Sequence, residues 1–207
     1  FKALGGRLVW TIHNTLSHDM PFVDLESELS QRLIWLADVL HFHSEASIAE
    51  VETVFSVPRE KVRILRHGAY VGAYPDLINR AVARRALGIA EIDDVILFTG
   101  QVRPYKGVKS LVSDFRRILK ERPNALLVVA GVSTFDLKAE IAPALTAAEQ
   151  SRTWIVDRFL EDDELQLFFR AADMAVYPYR KILTSGSMLL ALSFGVPVVI
   201  PDVGMTR

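Results

Sequence analysis

Short apolar runs of strand length alternate along the chain with longer stretches in which apolar residues return every three or four positions. That alternation is the pattern of β-α units feeding a parallel sheet covered by helices. Eight runs read as strands: LVWTIH (8–13), VLHFHS (39–44), VRIL (62–65), VILFTG (95–100), ALLVVAG (125–131), WIVDRF (154–159), MAVYPY (174–179) and PVVIP (197–201). Helices fall between most of them. Leu25, Leu29, Leu33, Leu36 and Ala37 recur at helical spacing behind an acidic first turn at Asp24, and Leu111, Phe115, Ile118 and Leu119 share one face of a helix that stops near Pro123. Both faces are expected to pack on a sheet. A short basic helix is predicted from about Asn79 to Leu87, and another from Met188 to Phe194, ending at Gly195.

The texture changes to Gly, Tyr and Pro in HGAYVGAYPDL, which marks a linker and places a domain boundary near Pro75. The fold class predicted is therefore α/β, with two Rossmann-like lobes of parallel sheet, residues 1–75 and 76–207. The chain enters almost directly into its first strand, and no helix follows PVVIP where a doubly wound sheet carries one. The expectation is a piece of a longer protein, with an incomplete amino-terminal lobe and a carboxy-terminal lobe truncated at its end.

Composition narrows the classes of function. The chain has 207 residues, 50% of them hydrophobic, with 24 Lys plus Arg against 25 Asp plus Glu. No net field favours nucleic acid or an anionic membrane, so any charge-driven recognition is local. The absence of cysteine excludes disulfides, thiolate metal sites and a cysteine nucleophile, and fits a reducing, cytoplasmic setting. No apolar run reaches the ~18 residues of a membrane span, and FKALGGRLVW lacks the layout of a signal peptide.

In open parallel sheets ligands gather at the carboxyl ends of strands, and four such places carry chemistry. In FTGQVRPYKGV, Gly100 ends a strand, Arg103 offers a planar fork, Lys106 a point charge, and Gly107 lets a backbone come close; together they suit a diphosphate, and equally a solvated loop whose cations pair with acids. In ILTSGSMLLALSFG, Thr184, Ser185, Gly186 and Ser187 precede a helix whose first-turn N–H groups can hold an anion, or they form an ordinary N-cap. In VWTIHNTLSHD, His13 ends a strand and can bond a sugar hydroxyl or move a proton, while a structural histidine fits as well; the spacing to His18 and Asp19 matches no recognised metal pattern. The acids Asp162, Asp163 and Glu164 invite a paired-carboxylate reading, but they open an amphipathic helix and read better as partners of its dipole.

In order along the chain, VWTIHN, HFHSEA, VRILRHGAYVGAYP, FTGQVRPYKGV, RFLEDDELQLFFRAADMAVYPY and LALSFGVPVVIPDVG resemble a GT-B glycosyltransferase of the group-1 or family-4 type. The resemblance covers nearly the whole chain, with FTGQVRPYKGV matching a G-x-x-R-x-x-K-G phosphate loop. It implies an enzyme that moves a sugar from a UDP- or GDP-sugar to a polysaccharide, lipid-linked or small-molecule acceptor, with retention of configuration as a family expectation. It further implies that Arg103 and Lys106 neutralise the donor diphosphate, so that no metal cofactor is obligatory. Backbone near Ser185, Gly186 and Ser187 holds the same phosphates, Phe159 and Leu160 line the base pocket, and His13 faces the transferred sugar. A lipid-linked acceptor would bring the parent protein to the inner face of a membrane as a peripheral protein.

One departure stands out. The commonest motif of this family has two glutamates separated by seven intervening residues, the second directly before A-x-x-x-G-x-P-V-V; here Leu190 holds the second place and Ile182 the first. The rival readings are a catalytically silent nucleotide-sugar-binding or scaffold domain and a sugar-nucleotide epimerase of the same fold.

Overall fold

The computed structural model describes residues 1–17, 21–180 and 182–202. His18 and Asp19 lie outside them. Within the described residues the chain forms two compact units, one built on Phe1–Gly68 and rejoined by the chain at Leu183 and Ser185, the other on Ala69–Arg180 and Gly186–Pro201.

The first unit runs β1 (Val9–Thr11), α1 (Val23–Leu36), β2 (Val39–Phe42), α2 (Glu45–Glu52) and β3 (Val62–Ile64), and its strands pair in parallel in the order β1-β2-β3. Its core joins Ile12, Leu40 and Phe42 from the sheet to Ile34 and Ala37 at the end of α1, Ile48 and Val51 of α2, and Leu183. Ser44 starts α2 by accepting the Ser47 N–H at 3.1 Å.

The second unit runs α3 (Arg80–Leu87), β4 (Asp94–Thr99), α4 (Val108–Glu121), β5 (Ala125–Ala130), α5 (Leu137–Ile141), α6 (Ala147–Ser151), β6 (Thr153–Val156), α7 (Leu165–Ala171), β7 (Met174–Val176), α8 (Gly186–Ser193) and β8 (Val198–Val199). Its five strands are all parallel, in the order β6-β5-β4-β7-β8. β5 is buried at every position and β4 at all but the first, as central strands covered on both faces must be. Val108, Leu111, Val112 and Phe115 of α4 pack down on this unit. A fully buried guanidinium, Arg84, braces α3: it donates to the carbonyl oxygens of Ala171, Ala90 and Glu91, and to Asp173 Oδ2 at 2.8 Å. Asp173 in turn accepts the Val95 N–H, so the buried charge is paired, and these bonds tie α3 to the end of α7, to the loop before β4 and to the residue that opens β7.

All eight predicted strands form, each ending short of its apolar run because the last residues leave the ladder as loops. Three expectations change. The leucine stripe of α1 does not pack on the sheet: Leu25, Leu29, Leu33 and Leu36 are between 38% and 55% exposed, and Ile34 alone in that helix is buried. Three short strands offer too little area for a wide stripe, and the helix seats on them through Ile34. The last helix begins at Gly186, two residues early, so Gly186 and Ser187 lie inside its first turn. The acids near 162–164 stand outside α7, where Glu164 takes Arg158 and the Glu161 N–H instead of capping the helix with its side chain.

Candidate functional site

The site grows from the ends of the two central strands of the second unit. β4 stops at Thr99, and Gly100 follows with φ 107°; a Cβ there would come within 2.8 Å of Ser187 Oγ and 3.8 Å of Lys106 Nζ. The bare backbone at Gly100 is therefore the point where Lys106 and the first turn of α8 converge. β5 ends in the same way at Gly131, whose Cβ would sit 2.2 Å from the Gly100 carbonyl oxygen. Only glycines let these two strand ends close up. A cavity of about 470 Å³ opens over them, its wall including Thr99, Gly100, Gly131, Leu160, Ser187 and Leu190, with Tyr74, Phe159 and Asp162 also lining it. Leu160 is buried, whereas the Phe159 ring is 64% exposed.

The loop that brings Lys106 to this place is short and stiff. Arg103 leads into a single 3-10 turn, Pro104–Lys106, whose proline presets the backbone, and Gly107 at φ 72° redirects the chain into α4. A side chain at Gly107 is impossible without rearrangement, because its Cβ would lie 2.1 Å from the Pro178 carbonyl oxygen. Lys106 is half-buried with its Nζ 5.3 Å from the centre of the Tyr179 ring. Burial, and then the charge of Arg103, push its ammonium down to about 8. No ion pair to Lys106 occurs among the described residues. Arg103 Nε donates to Gln101 Oε1 at 2.9 Å, which holds the guanidinium beside a residue of the cavity wall.

Behind the cavity a buried hydroxyl chain fixes α8 to the sheet. The Tyr177 hydroxyl donates to the Ser187 carbonyl at 3.0 Å and so accepts from Thr99 Oγ1 at 2.8 Å. Burial raises the Tyr177 phenol well above its ordinary range, keeping it a neutral donor. The first-turn N–H groups of α8, which have no carbonyl partner in their own helix, are thereby held at the cavity edge.

Of the residues singled out in the sequence, Gly100, Phe159, Leu160 and Ser187 line the cavity and Lys106 reaches it at Gly100. Gly107 shapes the loop. Gly186 begins α8, and a Cβ on it would lie 3.2 Å from the Tyr70 hydroxyl. Thr184 is half-buried and Ser185 buried, and neither belongs to the cavity wall. His13 lies in the first unit, exposed, two residues past β1, with its ring 5.6 Å from that of His43. Sequence reasoning missed Gly131, although a glycine closing ALLVVAG carries the same signal as Gly100. It also missed Asp162, the acidic side chain of the wall, which was absorbed into the helix-start reading. Tyr74 gave no signal, since only the return of the chain brings it there. Leu190, at the place of a family glutamate, presents an apolar side chain to the cavity.

No helix among the described residues is long and apolar enough to cross a membrane. Residues 93–207 match the family of group 1 glycosyl transferases. The chain is 26% identical over 201 residues to a D-inositol 3-phosphate glycosyltransferase of Corynebacterium efficiens, covering 90% of this chain and 45% of that protein. It is 31% identical over 106 residues to a GDP-mannose:glycolipid 4-beta-D-mannosyltransferase of Xanthomonas campestris, covering 51% and 30%. The chain thus spans less than half the length of these curated relatives. Among solved structures, Anabaena HepE in complex with UDP superposes with a TM-score of 0.80 at 18% identity, over 98% of this chain and 55% of that one. Sucrose-phosphate synthase from Thermosynechococcus elongatus gives 0.78 at 18% identity, over 96% and 51%. The α/β fold with parallel sheets is that of the GT-B enzymes, and with a family match over more than half of its length this chain belongs to the group-1 glycosyltransferases.

Proposed function

We propose that the chain is the donor-binding part of an enzyme that moves a sugar from a nucleotide sugar to a hydroxyl acceptor. The observation that carries this reading is Lys106: a half-buried ammonium with no ion pair among the described residues, delivered to a bare backbone beside a helix N-terminus. Such a group demands an anion. A diphosphate placed there bonds Lys106 Nζ, the α8 N–H groups and, with a small swing, the Arg103 guanidinium. As the glycosyl bond breaks, charge grows on the departing diphosphate, and these fixed cations stabilise the transition state more than the ground state. Two cations already do what a divalent ion would do at this position, so the reading includes no metal cofactor. The exposed Phe159 ring and the buried Leu160, both on the cavity wall, suit the face of a nucleoside base. His13 belongs to the sugar side of the reaction, with retention of configuration and a glycan or lipid-linked acceptor as the remaining parts of the proposal.

The relatives support the donor class, since one is named for a GDP-mannose donor and one neighbour holds UDP. Calorimetric titration with UDP and GDP tests it. Lys106→Ala or Arg103→Ala should weaken nucleoside-diphosphate binding by about 1.5 to 3 kcal/mol, the scale of a charged hydrogen bond, with little change in Tm. Unchanged affinity in both variants would sink the assignment. The apolar Leu190 on the cavity wall favours one other reading, a silent binding domain. Nucleotide binding by the full-length protein without turnover of any sugar nucleotide would establish that instead.

A further inference from the structure

Among the described residues, four histidines gather in the first unit, at the carboxyl ends of its parallel strands. His43 stands at their centre. Its ring centroid lies 4.8 Å from that of His41, 5.1 Å from His67 and 5.6 Å from His13. Their bonds fix the protons. The Leu65 carbonyl, which can only accept, receives bonds at 3.0 Å from His41 Nε2 and from His43 Nδ1. Both of those nitrogens therefore carry hydrogen, and His41 Nδ1 accepts from the Thr11 hydroxyl at 3.0 Å. His41 is fully committed. His43 is not: its residue is only 9% exposed, and its Nε2 has no partner among the described residues.

Buried side-chain nitrogens are nearly always hydrogen-bonded, so an imidazole nitrogen left without a bond is a place that a ligand can complete. Its chemistry can be narrowed. Burial first, and then the neighbouring imidazoles His41, His67 and His13, hold His43 below the ordinary histidine range. At neutral pH, with Nδ1–H turned to Leu65, Nε2 therefore offers a lone pair. A lone pair repels phosphate. Metal binding is equally disfavoured, because both nitrogens of His41 and Nδ1 of His67 are spent on protein partners, and no metal-holding group occurs among the described residues. A neutral hydrogen-bond donor remains, and in a small polar ligand that is a hydroxyl.

We propose that this histidine group is a carbohydrate-hydroxyl site, in which His43 Nε2 accepts the proton of one substrate hydroxyl and so positions it. Of the three rings around His43, His13 is the exposed one, so the group borders solvent there. The Leu65 carbonyl holds the acceptor lone pair in place by fixing the tautomer, as a positioning group does for a working histidine. The proposal rests on the glycosyltransferase reading only for the kind of hydroxyl compound.

The test uses full-length protein with nitrogen-labelled histidine, methyl hexosides and glycerol as probes, and UDP as a separate ligand. Methyl hexosides should move the His43 Nε2 resonance upfield, in the direction of a newly accepted hydrogen bond, and His43→Asn should weaken methyl-hexoside binding more than tenfold in a ligand-observed titration. Asparagine keeps an N–H toward Leu65 and lacks only the second nitrogen, whereas His43→Gln restores an acceptor near the Nε2 position and should recover binding to within about tenfold. Both variants should keep the wild-type Tm within a few degrees. If no hydroxyl probe moves the resonance while UDP still binds, this site is refuted and the donor reading stands. A resonance already hydrogen-bonded in the free protein and indifferent to every probe marks a buried water only, and equally overturns the proposal.

Discussion

The two units solve the same folding problem to different degrees. In the second, β4 and β5 are buried on both faces and α4 lies down through Val108, Leu111, Val112 and Phe115. In the first, β2 alone among the strands has buried residues, Leu40 and Phe42, and α1 leaves a stripe of leucines in solvent. Their sites differ in parallel. The second unit brings Lys106, Arg103 and the first turn of α8 to its strand ends, the pieces from which the donor proposal is built; the first gathers imidazoles around His43, whose unbonded Nε2 carries the hydroxyl proposal.

The largest test of that contrast is mechanical. Phe115→Ala removes a fully buried ring and should cost about 3 to 5 kcal/mol, whereas Leu29→Ala, on the exposed stripe, should stay within about 0.5 kcal/mol. Denaturant unfolding measures both, and a large loss at Leu29 would show that the stripe is covered in the full-length protein. Next comes the division of labour between units. His13→Ala in the full-length enzyme should lower turnover about 100-fold while nucleoside-diphosphate affinity stays near wild type. A stable variant with wild-type turnover removes His13 from the reaction.

The third test is a pH profile. Lys106 is held near 8 in the free protein, and a bound diphosphate favours its charged form and raises it. Binding therefore takes up a proton above about pH 8, and affinity should fall by up to tenfold per unit as pH rises from there. Lys106→Arg, always charged, should flatten that slope, and calorimetry across the range checks it. The smallest effect belongs to a cap. Thr146 and Glu149 form a reciprocal capping box at α6, and Thr146→Ala should cost about 1 kcal/mol in thermal unfolding without touching nucleotide affinity.

Much of the site was legible because its requirements are local. Glycines at 100 and 107, cations at 103 and 106 and the start of α8 all lie where a strand must end or a helix begin, and backbone geometry dictates residue type there. Asp162 was misjudged for the same reason in reverse: three acids before an amphipathic run look alike until Arg158 is seen to claim Glu164.

The sequence by itself determined the alternation of strands and helices, the parallel sheets and the cationic loop, since period, turn chemistry and strand-end residues are properties of neighbours along the chain. Tertiary structure alone decided which apolar faces were covered, as at α1, and which distant side chains met. It closed Gly131 on Gly100, fixed Ser187 through Tyr177 and Thr99, and gave one carbonyl to two histidines, leaving His43 with a nitrogen to spare. Such pairings depend on the crossing of strands far apart in sequence, and no local pattern encodes where two strand ends will lie side by side.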